Sequence, residues 1–394
     1  MSRTGGNGGN GGNGGNGGNG GNGGNGLTTA SGGNDQDPYA LITSRDGIWE
    51  PKSKLAAPDL PRIDDASQLD RWEPWVRAGV YQAELLSNLQ FIPQTNGYSV
   101  WHLKRTSHTT CDLLPIACLT RPSKETFATQ AELTNCWAEL RMERQAEIMA
   151  QITPQYAFWG QIVHLHPQTT RNTIELINMA FDLAINVELR FKHALACWRP
   201  IDYSAQVQPM IATPGHGSFP CGHATQAYIV AHVLQKLLGI DSKHDISVQL
   251  ERQAARISTN RVVAGVHFPV DNIAARLLGT TLAEYLVSRC VARSAKENYK
   301  KQPTWRPRKF NAKAFDKTAR MEFMPDHQPF EVAGSFGASV PAFYEDFFDG
   351  RDHAERLSTD VSPVLKNLWM KAKNEWRRQF GEYVVYGAMG TEAP

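Results

Sequence analysis

Three short segments carry residue types whose spacing suits work on an oxyanion. The first is Lys192-(x6)-Arg199-Pro200. A seven-residue step takes a helix through nearly two turns, so in one helix ended by Pro200 both cations share a face. The second is Ser218-Phe219-Pro220-Cys221-Gly222-His223-Ala224-Thr225, a loop running into a helix start. Gly222 permits close backbone approach, the first N–H groups of the helix point back at the loop, and His223 stands beside them as a proton donor or acceptor. The third is Asn260-Arg261-(x5)-His267-(x3)-Asp271, in which Arg261 brings a forked donor. His267 and Asp271 are four apart. A helix reaching back to His267 would let the carboxylate hold the imidazole, fix its tautomer and make the other ring nitrogen a better nucleophile or ligand. Taken singly, each segment also has a plain structural reading: a solvated cationic face, a helix cap, a hydrogen-bonded core histidine. Together they supply three permanent cations, an amide nest and two histidines, which an apolar body would sustain only around a bound tetrahedral anion.

These residues need rigid elements, and the periodicity supplies mostly helices. Ala131 to Ile152 places Leu133, Trp137, Leu140 and Ile148 near one face, with charges between. Arg171 to Trp198 is apolar on most sides and reads as a buried central helix, through Ile174, Ile177, Phe181, Ile185 and Leu189. His223–Leu238 and Asp245–Ser258 follow. A further helix starts at Phe268-Pro269, where proline suits the first turn, and runs to about Val291. Strand signals are sparse, the clearest being the alternation from Tyr98 to Leu103. The expected class is all-α: a helical bundle with few short strands.

Residues 5–25 are seven Gly-Gly-Asn triplets. Such a segment has nothing to bury against the cost of ordering it, so residues 1–37 are expected to form a disordered tail. Residues 38–394 are expected to be a single helical domain, with an arm and N-terminal helices (38–165), a catalytic core (166–292) and a C-terminal covering region (293–394). Within the last, the basic stretch 293–309 reads as a solvated linker.

Of the 394 residues, 41% are apolar and 20% charged, ordinary for a globular protein with a sizeable core. Lys plus Arg number 41 against 39 Asp plus Glu, a net charge of +2, which disfavours bulk nucleic-acid binding. No run approaches 18 apolar residues, and residues 1–26 hold no signal-peptide core, so a chain that is cytoplasmic, or released without a classical signal peptide, is expected. The six cysteines contain no C-x-x-C pair and read neither as a disulfide framework nor as a zinc site.

The three segments, in this order, resemble the superfamily of vanadium-dependent haloperoxidases and type 2 phosphatidic-acid phosphatases, whose pattern is K-x6-R-P, then P-S-G-H, then S-R-x5-H-x3-D. The resemblance covers about residues 170–290, rests on seven functional positions, and implies the helical bundle of the haloperoxidase and acid-phosphatase type. It implies that Lys192, Arg199, Arg261, Cys221 and Gly222 hold oxygens of vanadate, with phosphate able to occupy the same place. His267 would be the axial ligand to the metal, or the nucleophile of a phosphatase, and Asp271 would orient it. His223 would be the acid–base group, and Lys192 would polarise the reacting oxygens. The soluble haloperoxidase branch fits the length and the lack of spans. His216, five residues before Cys221, is the candidate halide-site residue and points to bromide or iodide.

Two departures stand out: Cys221 replaces the pattern's serine, and Asn260 replaces the serine before Arg261. A thiol close to Lys192, Arg199 and a helix start is expected to be partly ionised and easily oxidised by peroxide. A cysteine-phosphatase nucleophile is excluded, since the arginine it needs six residues on is Ala227 here. The implied activity is vanadate-dependent oxidation of halide by hydrogen peroxide to hypohalous acid, with a small organic acceptor. Two alternatives remain: an acid phosphatase working on phosphate monoesters through a phospho-histidine, and an anion-binding protein impaired by Cys221. No nucleic-acid partner is implied, and homo-oligomerisation is left open.

Overall fold

The computed structural model describes residues 38–48, 59–152, 155–291, 304–316, 343–347, 357 and 359–386. The chain divides into a unit of Arg3–Asp65 and a unit of Ala66–Pro394 with Met1–Ser2. In the first, the described residues include helix α1 (Pro38–Ile48), whose Ile42 and Ile48 are exposed. The Gly-Gly-Asn tail lies outside the described residues.

The larger unit is dominated by helices. After a 3-10 turn (Ala66–Arg71) come α2 (Pro74–Leu86), α3 (Lys124–Cys136), α4 (Arg141–Ala150) and α5 (Tyr156–Gly160). The central helices are α6 (Arg171–Leu195), the short α7 (Pro200–Tyr203), α8 (Gly222–Leu238), α9 (Asp245–Val263) and α10 (Pro269–Cys290). Near the C-terminus are α11 (Ala312–Asp316) and α12 (Pro363–Tyr386). The expected α-helical class holds.

One five-stranded sheet accompanies the helices, in the order β1 (Leu89–Gln94), β2 (Gly97–Arg105), β3 (Cys111–Thr120), β4 (Arg308–Phe310), β5 (Tyr344–Asp346). The neighbours pair antiparallel except β3 and β4, which are parallel with Ala117 opposite Arg308. β2 contains the expected Tyr98–Leu103 strand. β3 was not legible, because Leu114–Leu119 is a continuous buried run without alternation. The basic stretch also differs from a solvated linker where it is described. Trp305 is fully buried, Arg308 pairs with Glu284 at 2.8 Å, and Arg306 pairs with Asp346.

In α6 the buried face runs through Leu176, Ile177, Ala180, Phe181, Ala184, Val187 and Phe191, leaving Leu189 exposed. The apolar stripe is thus rotated toward Phe191 relative to the expected one. α8 and α10 approach closely at Gly279, where an added Cβ would lie 2.6 Å from the Thr225 carbonyl oxygen. That closeness sets the segment containing Cys221 and His223 against the one containing His267 and Asp271.

Candidate active site

Each cation sits at an element end. α6 stops at Leu195, three residues earlier than expected, because Ala196 turns into the left-handed region (φ 48°) and its N–H bonds the Lys192 carbonyl. Lys192 and Arg199 therefore do not share a helix face. Arg199 is the extended residue before α7, Pro200 opens that helix rather than closing α6, and Asp202 Oδ2 accepts the Arg199 N–H at 2.8 Å. The turn still brings Arg199 back into the site. Its Nη1 lies 3.0 Å from His267 Nε2 and donates to the Val266 carbonyl at 2.7 Å, while Nη2 lies 3.2 Å from His216 Nδ1.

Lys192 is buried, and its Nζ donates to the carbonyls of Gly217, Ser218 and Pro220 at 3.2, 3.0 and 2.5 Å. In this geometry it staples the loop that leads into α8. Burial, then the charge of Arg199, lowers its pKa from 10.5 to about 8.

His267 precedes α10 rather than lying within it, yet the expected pairing forms. Its Nδ1 is 2.8 Å from Asp271 Oδ2, which also accepts the Phe268 N–H at 3.0 Å. Asp271 is the third residue of α10 and reaches back over the helix start, so one carboxylate both caps the helix and fixes the imidazole. Burial, with Arg199 and Lys192 nearby, holds His267 well below 6.5, and burial raises Asp271 to about 7. His267 is therefore neutral at physiological pH, with the proton on Nδ1 and the lone pair on Nε2. Asp271→Asn should lower any His267-dependent rate roughly 10- to 100-fold, measured as kcat/KM. A loss no larger than twofold would show that the carboxylate does not orient the ring.

Arg261, in the last turn of α9, is fully buried. Its Nη2 donates to the Ile148 carbonyl (3.1 Å) and to Gln151 Oε1 (3.0 Å), whereas Nε and Nη1 are buried without a partner. Burial lowers its pKa to about 10. A guanidinium that surrenders its hydration and leaves two donor groups unused is costly unless an acceptor occupies that space.

His223 Nε2 lies 3.0 Å from the Gln151 carbonyl, so that nitrogen carries the proton and Nδ1 is the free acceptor. Burial first, then Arg261, keeps its pKa well below 6.5. His216 is half-buried, and burial and Lys192 lower it to about 4, leaving it a neutral ring whose Nδ1 lies between Arg199 Nη2 (3.2 Å) and the Gly217 carbonyl (3.1 Å).

Cys221 is the principal correction to the sequence reading. It is fully buried in a small cluster with Ala224 and Ala275, and burial raises its thiol to about 11, outweighing the opposing pull of Lys192. The thiol is protonated rather than partly ionised. Peptide mapping after millimolar peroxide should therefore find Cys221 reduced while the exposed Cys111 and Cys136 are oxidised. Rapid oxygen addition at residue 221 in the folded protein would contradict the burial.

Several contributors were not legible in the motifs. Gln151 joins three partners: its side chain binds Arg261 and Asn260, and its carbonyl binds His223. Asn260 turns toward Glu147 and Gln151, and so supports Arg261 from behind. Glu188, one turn before Lys192, is buried, with Gln226 Nε2 at 3.4 Å from Oε1 and no partner on Oε2. Burial raises its pKa. An added Cβ on Gly222 would lie 2.5 Å from Glu188 Oε1. Gly222 is therefore required by the carboxylate packed against it, a constraint that local sequence does not reveal. Gly222→Ala should destabilise the fold by about 1–3 kcal/mol, read from denaturant midpoints. Adding Glu188→Ala should restore most of that loss. No restoration would mean that the clash lies elsewhere.

The Lys192, Arg199 and Arg261 charges thus sit among two buried carboxylates that burial pushes toward neutrality, in a setting suited to an anion. The PAP2 superfamily model matches residues 174–295, the span that contains all three segments. Among curated relatives, the chain is similar to a vanadium-dependent bromoperoxidase of Ascophyllum nodosum. They are 26% identical over 170 residues, covering 34% of this chain and 30% of that protein, so the match spans under a third of the relative's length. Among solved structures, a transmembrane PAP2 type phosphatidylglycerolphosphate phosphatase from Bacillus subtilis aligns at 18% identity and a TM-score of 0.31. That alignment covers 41% of this chain and 84% of the other. Among the described residues, no helix is long and apolar enough to cross a membrane.

Proposed function

We propose that this chain is a vanadate-dependent haloperoxidase that oxidises bromide or iodide with hydrogen peroxide. The observation that carries an oxyanion site is Arg261, whose buried Nε and Nη1 have no partner among the described residues. The residues fit vanadate: Arg261 and Arg199 would hold oxygens, the first amides of α8 would help, and the neutral His267 would offer Nε2 as ligand once Arg199 Nη1, which donates to it in this geometry, turns to an oxygen of the anion. Bound vanadate would supply a Lewis-acidic centre at which peroxide is activated toward halide. The protein's own part is the preorganisation of cations and the handling of protons. Neutral His223, with Nδ1 as acceptor, is suited to take a proton from peroxide. His216 beside Arg199 would line the halide approach. The similarity to a bromoperoxidase supports the same reading.

The second reading is a phosphatase. The Nδ1–H bond to Asp271 makes His267 Nε2 a competent nucleophile toward phosphorus. It also requires His223 to protonate the leaving oxygen, and burial disfavours the charged form that would do so.

Calorimetric titration of the protein with vanadate, alone and with excess phosphate, tests the site. One vanadate per chain, displaced by phosphate, is expected. Because Lys192 is protonated below about 8 and neutral above, affinity should be full at lower pH and fall as pH rises past that value; a bound anion moves the midpoint upward. Absence of any saturable anion binding would refute the proposal.

A further inference from the structure

Apart from the oxyanion site, a groove of about 1000 Å³ lies beside the segment that carries Arg199. Its chemistry is different. Phe127 and Tyr203 face each other with ring centroids 5.9 Å apart, and both pack on Phe268, the residue after His267, at 5.0 and 5.5 Å. Trp198, 69% exposed, adds a third aromatic ring left in water. Arg121, Lys124 and Lys313 also line the groove, and they come from the end of β3, the start of α3 and α11. None of the three forms an ion pair among the described residues. Asp202, the acidic residue of the lining, is engaged by the Arg199 backbone N–H.

We propose that this groove is a binding site for an aryl carboxylate. A planar aromatic body stacks on Phe127, Trp198 and Tyr203, and the carboxylate is met by cations that converge from three separate elements. Concave sites with aromatic walls and a few charged groups are the usual form of small-molecule sites. The guanidinium of Arg121 offers the planar fork that a carboxylate matches. Trp198 and Tyr203 lie on either side of Arg199 in the chain, so the ligand rests on the segment that aims Arg199 at His267. The site does not depend on which oxyanion chemistry the chain performs.

The test uses the full chain without vanadate, titrated calorimetrically with 4-hydroxybenzoate and with its neutral amide. The expected result is saturable carboxylate binding at least tenfold tighter than the amide. Arg121→Gln with Lys313→Gln should weaken the carboxylate at least fivefold and leave the amide unchanged. Trp198→Ala should weaken both. These positions are on the surface, and circular dichroism checks that each variant folds. The proposal is overturned if neither ligand binds, if the amide binds as well as the acid, or if the variants bind like the wild type.

Discussion

His267→Ala should abolish vanadate-dependent halide oxidation and any phosphate-ester hydrolysis alike, with kcat falling on the order of 10³-fold or more. Both reactions need the Nε2 lone pair, which the Nδ1–Asp271 bond fixes in place. The side chain is buried, and among the described residues its polar partners are Asp271 and Arg199, so its removal leaves the helical frame intact. A folded His267→Ala protein that retained near wild-type turnover in either assay would show that the reacting group is elsewhere.

Arg261→Gln should weaken vanadate and phosphate binding on the order of 10²-fold or more, since it removes two charged donors, each worth about 1.5–3 kcal/mol. Arg261→Lys should fall between, because an ammonium keeps the charge but loses the fork. The measurement is the dissociation constant for vanadate at a pH below about 8, where Lys192 remains protonated. Equal affinities for wild type and Arg261→Gln would mean that Nε and Nη1 do not face the anion.

How far the sequence revealed the molecule varies with how local each signal is. The starts of α8 and α10 were legible because Gly222 and Pro269 mark them directly. The His267–Asp271 pair was legible from its four-residue spacing, although it forms across a helix start and not along a helix. Lys192 and Arg199 were placed on one helix because nothing in Ala196 announces a left-handed turn. The charge state of Cys221 was misjudged for a related reason. Its cationic neighbours are visible in the motif, but the burial beside Ala224 and Ala275 that outweighs them arises only from the packing of α8 on α10. Gln151 and Glu188 carry no motif at all and reach the site through tertiary contacts.

The reading of the chain as a haloperoxidase is tested most directly by turnover of bromide and hydrogen peroxide after dialysis against vanadate, followed by bromination of a dye. The expected result is activity that saturates with vanadate, is suppressed by phosphate, and is absent from His267→Ala. Full loading with vanadate and no bromide oxidation, together with hydrolysis of a phosphate monoester that depends on His267, would contradict it and identify a phosphatase.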